Sequence, residues 1–266
     1  MNNLLRLNNN AEIPRIGYGV YQIPPSIAER CVKDALSVGY RLIDTAQCYG
    51  NEQATGKAVR ESGISRDEIF VTSKLWGCVG YGDAAISIDN SLKALGMDYV
   101  DLLLIHEPTG NYREVYRALE DAYRAGKLRA IGVANFLEKN YVNLLETAEI
   151  VPAIDQIETH VFRQQKRMRS LLAEHGTACE AWSPLACGRN GFFDNPTLKE
   201  IGEKYGKSPA QVGLRFLYQQ DVVSIPKTVR LDRMRENLNV LDFVLTDEDM
   251  ASIRALDKGK SLFSWW

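Results

Sequence analysis

Three short β-type runs in this chain end on residues that can carry charge. Leu42-Ile43 runs into Asp44, Val71-Thr72-Ser73 into Lys74, and Leu102-Leu103-Leu104-Ile105 into His106, with Tyr49 five residues past the aspartate. Each type also has a plainer use. Aspartate stops a turn, tyrosine packs its ring and wets its hydroxyl, lysine snorkels outward, and histidine can be a satisfied structural group. Brought together, they form a proton-donating set. A free tyrosine releases its proton only near pH ~10, and an adjacent ammonium lowers that threshold. Asp44 would hold Lys74 charged and offset the cost of burying it. His106 could donate a hydrogen bond to an oxygen that is gaining negative charge. The set suits reduction of a carbonyl, provided hydride comes from another molecule.

The elements that must bring these residues together are legible as eight β-type runs. They lie at Arg15–Gly19, Arg41–Asp44, Ile69–Lys74, Val100–His106, Arg129–Val133, Ala153–Ile157, Cys179–Trp182 and Val222–Pro226, with helical periodicity between them. Pro25-Ser26 opens the first helix and Val38-Gly39 ends it. Asp83 caps a run through Ile86, Asn90 and Ala94 that stops at Gly96, and Ser208-Pro209 opens another helix. Strand then helix, eight times over, predicts a closed (β/α)8 TIM barrel occupying residues 1-266 as one domain. An open doubly wound sheet fits less well. Gly17-Tyr18-Gly19 runs on into Val20-Tyr21, so no G-x-G-x-x-G follows the first strand. Leu4–Ile13, centred on Asn8-Asn9-Asn10, predicts a β-hairpin ahead of the barrel, and a short C-terminal loop ends at Trp265-Trp266. In such barrels chemistry sits where strands end, which places Asp44, Tyr49, Lys74 and His106 on one rim.

Bulk properties narrow the function. A formal net charge of -2 gives no general pull toward nucleic acid or an anionic membrane. Five scattered cysteines (Cys31, Cys48, Cys78, Cys179 and Cys187) form no C-x-x-C pair, which argues against a disulfide framework or zinc site and suits a reducing cytoplasm. No signal-like N-terminus or membrane-length apolar run is present. The expectation is a cytoplasmic monomer acting on a small molecule, with no metal, membrane or nucleic-acid partner.

At this point the chain resembles a known family, the aldo-keto reductases. The matching stretches are Gly17-Tyr18-Gly19-Val20-Tyr21, Asp44-Thr45-Ala46 with Tyr49-Gly50-Asn51-Glu52, Thr72-Ser73-Lys74-Leu75-Trp76, and Asp101 through His106. They continue with Ile131-Gly132-Val133-Ala134-Asn135-Phe136, Gln156-Ile157-Glu158, Ser183-Pro184-Leu185 and Ile225-Pro226-Lys227-Thr228. The likeness is greatest to the bacterial branch that includes 2,5-diketo-D-gluconate reductases. It implies that Tyr49 is the general acid, Lys74 its pKa-lowering partner, Asp44 the anchor of Lys74, and His106 the residue that orients the carbonyl. It further implies NADPH as hydride donor. Lys227, Thr228 and Arg233 would hold its 2′-phosphate, with Glu236 and Asn237 near the adenine. Trp182 would stack on the nicotinamide, and Asn135 and Gln156 would bind its carboxamide. Gly19, Val20, Tyr21, Ser183 and Leu185 would border the same cofactor. The lysine, hydroxyl and helix start after the eighth strand are themselves suited to an anion.

The implied substrate pocket draws on Tyr21, Trp76, His106 and Glu107, with Trp265 and Trp266 as further candidates. Several positions depart from the family pattern: Ala134 replaces a usual serine, Trp182 the commoner tyrosine, Glu107 a frequent tryptophan, and Val161 the proline of a His-Pro pair. A polar, open pocket favours small aldehydes, dicarbonyls or keto-sugars. Three other readings use the same residues. Lys74 could form a Schiff base in an aldolase. His106, His160 and Asp44 could hold a hydrolytic metal. The chain could also bind NADPH as a sensor or partner subunit with little turnover.

Overall fold

The computed structural model describes residues 3–263, so Trp265 and Trp266 lie outside the described residues. Two short antiparallel strands come first, β1 (Leu4–Arg6) and β2 (Glu12–Pro14), joined across the Asn8-Asn9-Asn10 turn where Asn10 takes φ 69°. Eight parallel strands follow in sequential order. They are β3 (Tyr18–Gly19), β4 (Leu42–Asp44), β5 (Phe70–Leu75), β6 (Leu102–Ile105), β7 (Ile131–Ala134), β8 (Ile154–Glu158), β9 (Ala178–Trp182) and β10 (Val223–Ser224). The two ends of this sheet meet. Ile16 bridges to Ser224, the Gly17 amide donates to the Ser224 carbonyl at 2.8 Å, and the Gly19 amide donates to Pro226 at 3.2 Å. The fold is therefore a (β/α)8 barrel with an N-terminal hairpin, as the repeat of strand and helix predicts.

Alternation along the strands explains which side chains enter the barrel. Leu42, Leu102, Leu104, Ile154 and Val223 share one cluster inside it, while Ile43, Leu103, Val133 and Ile157 belong to the larger core beneath the helices. Asp44, two residues after Leu42, continues on the inner side. The hairpin closes the lower end, packing Leu7 and Ile13 into the inner cluster with Phe70. At the seam the chain must come very close to itself. A Cβ on Gly19 would stand 2.9 Å from the Ile225 carbonyl oxygen, so only glycine fits there.

The outer layer contains α1 (Pro25–Ser37), α2 (Glu52–Arg60), α3 (Tyr81–Leu95), α4 (Tyr112–Arg124), α5 (Glu138–Leu145), α6 (Lys166–Glu174), α7 (Pro196–Tyr205), α8 (Pro209–Tyr218), α9 (Leu231–Leu238) and α10 (Asp247–Arg254). Helix α8 starts with a reciprocal capping box between Ser208 and Gln211. Helix α3 stops at Gly96, which adopts φ 64°. Its start corrects the sequence expectation. Gly80 is the N-cap, and Asp83 lies inside the first turn, where its carboxylate accepts from the Val79 amide at 3.4 Å. Strand ends also shift. Regular pairing of the first barrel strand is confined to Tyr18–Gly19, and His106 stands just beyond β6. No helix of the described residues is long and apolar enough to cross a membrane.

Candidate active site

Strand order places β4, β5 and β6 side by side, so their ends deliver Asp44, Lys74 and His106 to neighbouring positions. A short turn, Gln47–Tyr49, brings the tyrosine back over them. Lys74 is fully buried, and its ammonium is committed to three acceptors. It donates to Asp44 Oδ1 at 2.6 Å, to the Thr45 carbonyl at 3.0 Å and to the Tyr49 hydroxyl at 3.4 Å. Burial is the largest single influence and works against that positive charge, but Asp44 together with Tyr49 and Glu180 outweighs it, and the lysine pKa rises above its ordinary value. This disfavours a nucleophilic lysine, since Schiff-base chemistry requires a free amine.

Tyr49 is the point where the electrostatics differ from the simplest expectation. Burial raises its pKa and the nearby Lys74 lowers it, and burial prevails. The tyrosine thus rests protonated, and the lysine's influence becomes large only as the proton leaves. His106 is neutral, its pKa pushed down to about 3 by burial and then by Lys74. Its ring lies edge-on to Tyr49 at 5.7 Å and to Trp76 at 5.0 Å between centroids. Tyr21 packs on Tyr49 at 4.9 Å. Tyr21 and Trp76 are 50% and 51% exposed, unusual for large aromatics and consistent with walls of an open cleft.

Glu107 follows His106 on the same rim. Asn135 donates its amide to Glu107 Oε1 and to the His106 carbonyl, both at 3.1 Å, and accepts the Trp182 indole N–H at 2.7 Å. Burial pushes the Glu107 carboxyl up to about 7, although the Asn135 bond opposes this. Glu107, Asn135 and Trp182 thus form one hydrogen-bonded chain from the end of β6 to β9.

The other expected cofactor residues are distributed around the rim. Gly19 and Val20 spend their amides on Pro226 and Asp44, closing the barrel, whereas Tyr21 is open. Gln156 donates to Asp44 Oδ2 at 2.8 Å and to Glu180 Oε2 at 3.1 Å. Trp182 meets Phe263 edge-on at 5.2 Å, and Ser183 contacts Cys187 at 3.2 Å while Leu185 is half-buried. Past β10, Lys227 and Arg233 are exposed and Thr228 is nearly buried, its hydroxyl accepting the Arg230 amide at 3.2 Å. Glu236 receives the Ser208 hydroxyl, and Asn237 is buried. An exposed lysine and arginine beside a helix start suit a phosphate, so this donor set fits a phosphorylated dinucleotide.

Three features escaped sequence reasoning. Glu180 lies fully buried on β9, its pKa raised by burial and by Asp44; the one signal was an acidic residue inside the run Cys179–Trp182. Glu158 binds His160 Nε2 at 3.0 Å, Ser261 Oγ at 2.6 Å, the Leu262 amide at 3.0 Å, and Arg163. It thereby fastens the C-terminal segment beside Trp182. His160 accepts the Phe162 and Arg163 amides on Nδ1, so it is occupied structurally instead of facing a metal with His106. Finally, Cys48 contacts His106. All five cysteines are free thiols.

The geometry agrees with comparisons to known proteins. The aldo/keto reductase family model matches residues 15–258. The chain is 44% identical over 257 residues to a glyoxal reductase of Bacillus subtilis, covering 96% of this chain and 92% of that protein. Among solved structures, the aldo-keto reductase MGS-M4 from a deep-sea metagenome superposes with TM-score 0.96 at 41% identity, covering 98% of this chain and 97% of that one. A Bombyx mori aldo-keto reductase in complex with NADP gives TM-score 0.92 at 32% identity, covering 98% and 94%.

Proposed function

The chain belongs to the aldo/keto reductase family, and from that premise we propose that it reduces small aldehydes, dicarbonyls or keto-sugars to alcohols with NADPH, as a single-domain cytoplasmic monomer. One observation carries the reading: the buried Lys74 ammonium touches both the Asp44 carboxylate and the Tyr49 hydroxyl. Tyr49 keeps its proton until negative charge grows on a substrate oxygen, then releases it. The phenolate left behind faces Lys74, which needs no reorganisation to stabilise it. His106, being neutral, donates a ring N–H to the same oxygen and aims the carbonyl. Asp44 keeps Lys74 charged throughout.

When bound, NADPH supplies the hydride. Lys227, Thr228 and Arg233 would hold its 2′-phosphate, with Glu236 and Asn237 toward the adenine. Asn135, Gln156, Trp182, Ser183, Leu185, Gly19, Val20 and Tyr21 would border the rest. Because the Gln156 amide nitrogen serves Asp44 and Glu180, its carbonyl oxygen is the end suited to a carboxamide. Tyr21, Trp76, His106 and Glu107 would line the substrate cleft, and their open, polar character suits small oxygenated carbonyls. The glyoxal reductase relative supports that class, and the NADP complex supports the cofactor.

The test is NADPH oxidation against a panel of aldehydes, α-keto aldehydes and keto-sugars, with NADH run in parallel. Tyr49→Phe should lower kcat by about 10²–10⁴, the usual weight of a general acid, while NADPH binding stays close to wild type. Near-wild-type turnover in that variant would remove Tyr49 from the reaction.

A further inference from the structure

His106 makes a contact that the reaction as described does not require. Cys48, in the turn after β4, places its Sγ 3.4 Å from His106 Nδ1. The ring has little freedom to leave that contact. Trp76 and Tyr49 both pack against it edge-on, and its backbone is tied to Leu75 and Asn135. A neutral imidazole carries one N–H, and the partner of one nitrogen decides what the other can do.

Both groups are uncharged. The ring is neutral at any ordinary pH, and burial raises the Cys48 thiol, so the sulfur keeps its proton. Only two arrangements then remain. The S–H donates to Nδ1, which leaves the ring proton on Nε2; or Nδ1–H faces the sulfur, which leaves Nε2 without a proton. Sulfur is a weak acceptor, whereas a neutral ring nitrogen is a good one. The first arrangement therefore gives the better bond, and it alone lets Nε2 donate to a substrate oxygen.

We propose that Cys48 is a positioning residue whose thiol donates to His106 Nδ1 and holds the histidine in its Nε2–H tautomer. What that N–H is used for rests on the carbonyl-reductase reading; the tautomer itself does not. The chain has three histidines, His106, His160 and His175, so ¹⁵N-histidine labelling gives an assignable spectrum. Long-range ¹H–¹⁵N correlation should show wild-type His106 as Nε2–H. Cys48→Ala should move a substantial fraction to Nδ1–H and lower kcat by up to about tenfold, the weight of one neutral hydrogen bond, with KM nearly unchanged. Cys48→Ser should restore both the tautomer and the rate, because its hydroxyl also donates. A Cys48→Ala protein that retains pure Nε2–H overturns the proposal whatever its rate, and so does a wild type in the Nδ1–H form. A tautomer shift in a protein that reduces no carbonyl would leave this proposal standing and refute the proposed function.

Discussion

Replacing Asp44 by asparagine would leave the buried Lys74 ammonium with no carboxylate bonded to it. Lys74 is 0% exposed and Asp44 2%, and the remaining acceptors of the ammonium, the Thr45 carbonyl and the Tyr49 hydroxyl, are neutral. Removing one partner of a buried ion pair costs about 3–5 kcal/mol. Against a total stability of about 5–15 kcal/mol, this is a large share. At roughly 2–4 °C per kcal/mol for a chain of this size, Tm should fall by roughly 6–20 °C. Lys74→Met alone should cost a similar amount, because Asp44 then keeps only the Gln156 amide at 2.8 Å among its side-chain partners. The double variant removes both charges and should recover most of the loss, with a coupling energy of about 3 kcal/mol in the cycle. Urea unfolding at neutral pH, followed by fluorescence with m held constant, measures all four corners. Turnover should stay lost in the double variant, since Tyr49 has no ammonium beside it. Simple addition of the two single costs would refute the mutual dependence of the pair.

Three further outcomes follow from the site. Arg233→Ala should weaken NADPH binding by about 10–100-fold, the range of a charge-assisted hydrogen bond, and leave NADH nearly unaffected; equal losses for both would sink the 2′-phosphate assignment. Glu107 has a folded pKa raised from 4.5 to about 7, so the folded state holds its proton more tightly and loses stability as pH rises through that window. Glu107→Gln should therefore raise Tm relative to wild type at pH ~8 and give no such gain at pH ~4; a gain independent of pH would contradict the shift. For Glu158, burial is outweighed by the bonds from His160, Ser261 and Leu262, which bring its pKa down to about 2. Its stabilisation is present above the ordinary carboxylate range and is lost as pH falls through about 2. Glu158→Gln should free the segment around Ser261 and speed tryptic cleavage at Lys258 and Lys260; unchanged cleavage would show that the segment is held by other contacts.

The barrel was legible because its signal is repeated and local. Runs such as Leu102–Ile105 are too short for helices, and several are followed by helical periodicity that stops at a glycine, as at Gly39 and Gly96. The clustering of Asp44, Lys74 and His106 followed from the same register, since whatever ends β4, β5 and β6 must share one end of a parallel barrel. Boundaries were harder. Asp83 looks like a cap, but the loop geometry puts Gly80 in that role, and single residues rarely reveal a turn's dihedral angles. Contacts across the barrel were not readable at all. Nothing local to Gln156 says that it donates to Asp44, 112 positions earlier, or that Glu158 meets Ser261 and Leu262. The protonation state of Tyr49 also needed structure, because the opposing effects of burial and Lys74 have to be weighed in place. Nor could sequence pair Cys48 with His106, since the turn that aims the thiol is set by packing.

The hairpin and the mouth lie at opposite ends of the barrel, and this has a practical consequence for attachment. Asn8 and Asn9 fasten the hairpin turn to the carbonyls of Val151, Pro152 and Arg129, on the loops that enter β7 and β8. A surface linker placed at that turn would hold the protein with the rim that carries Tyr49 and His106 facing away from the support, leaving small molecules free to reach it. An attachment at Phe263 itself would instead sit against Trp182 and crowd that rim.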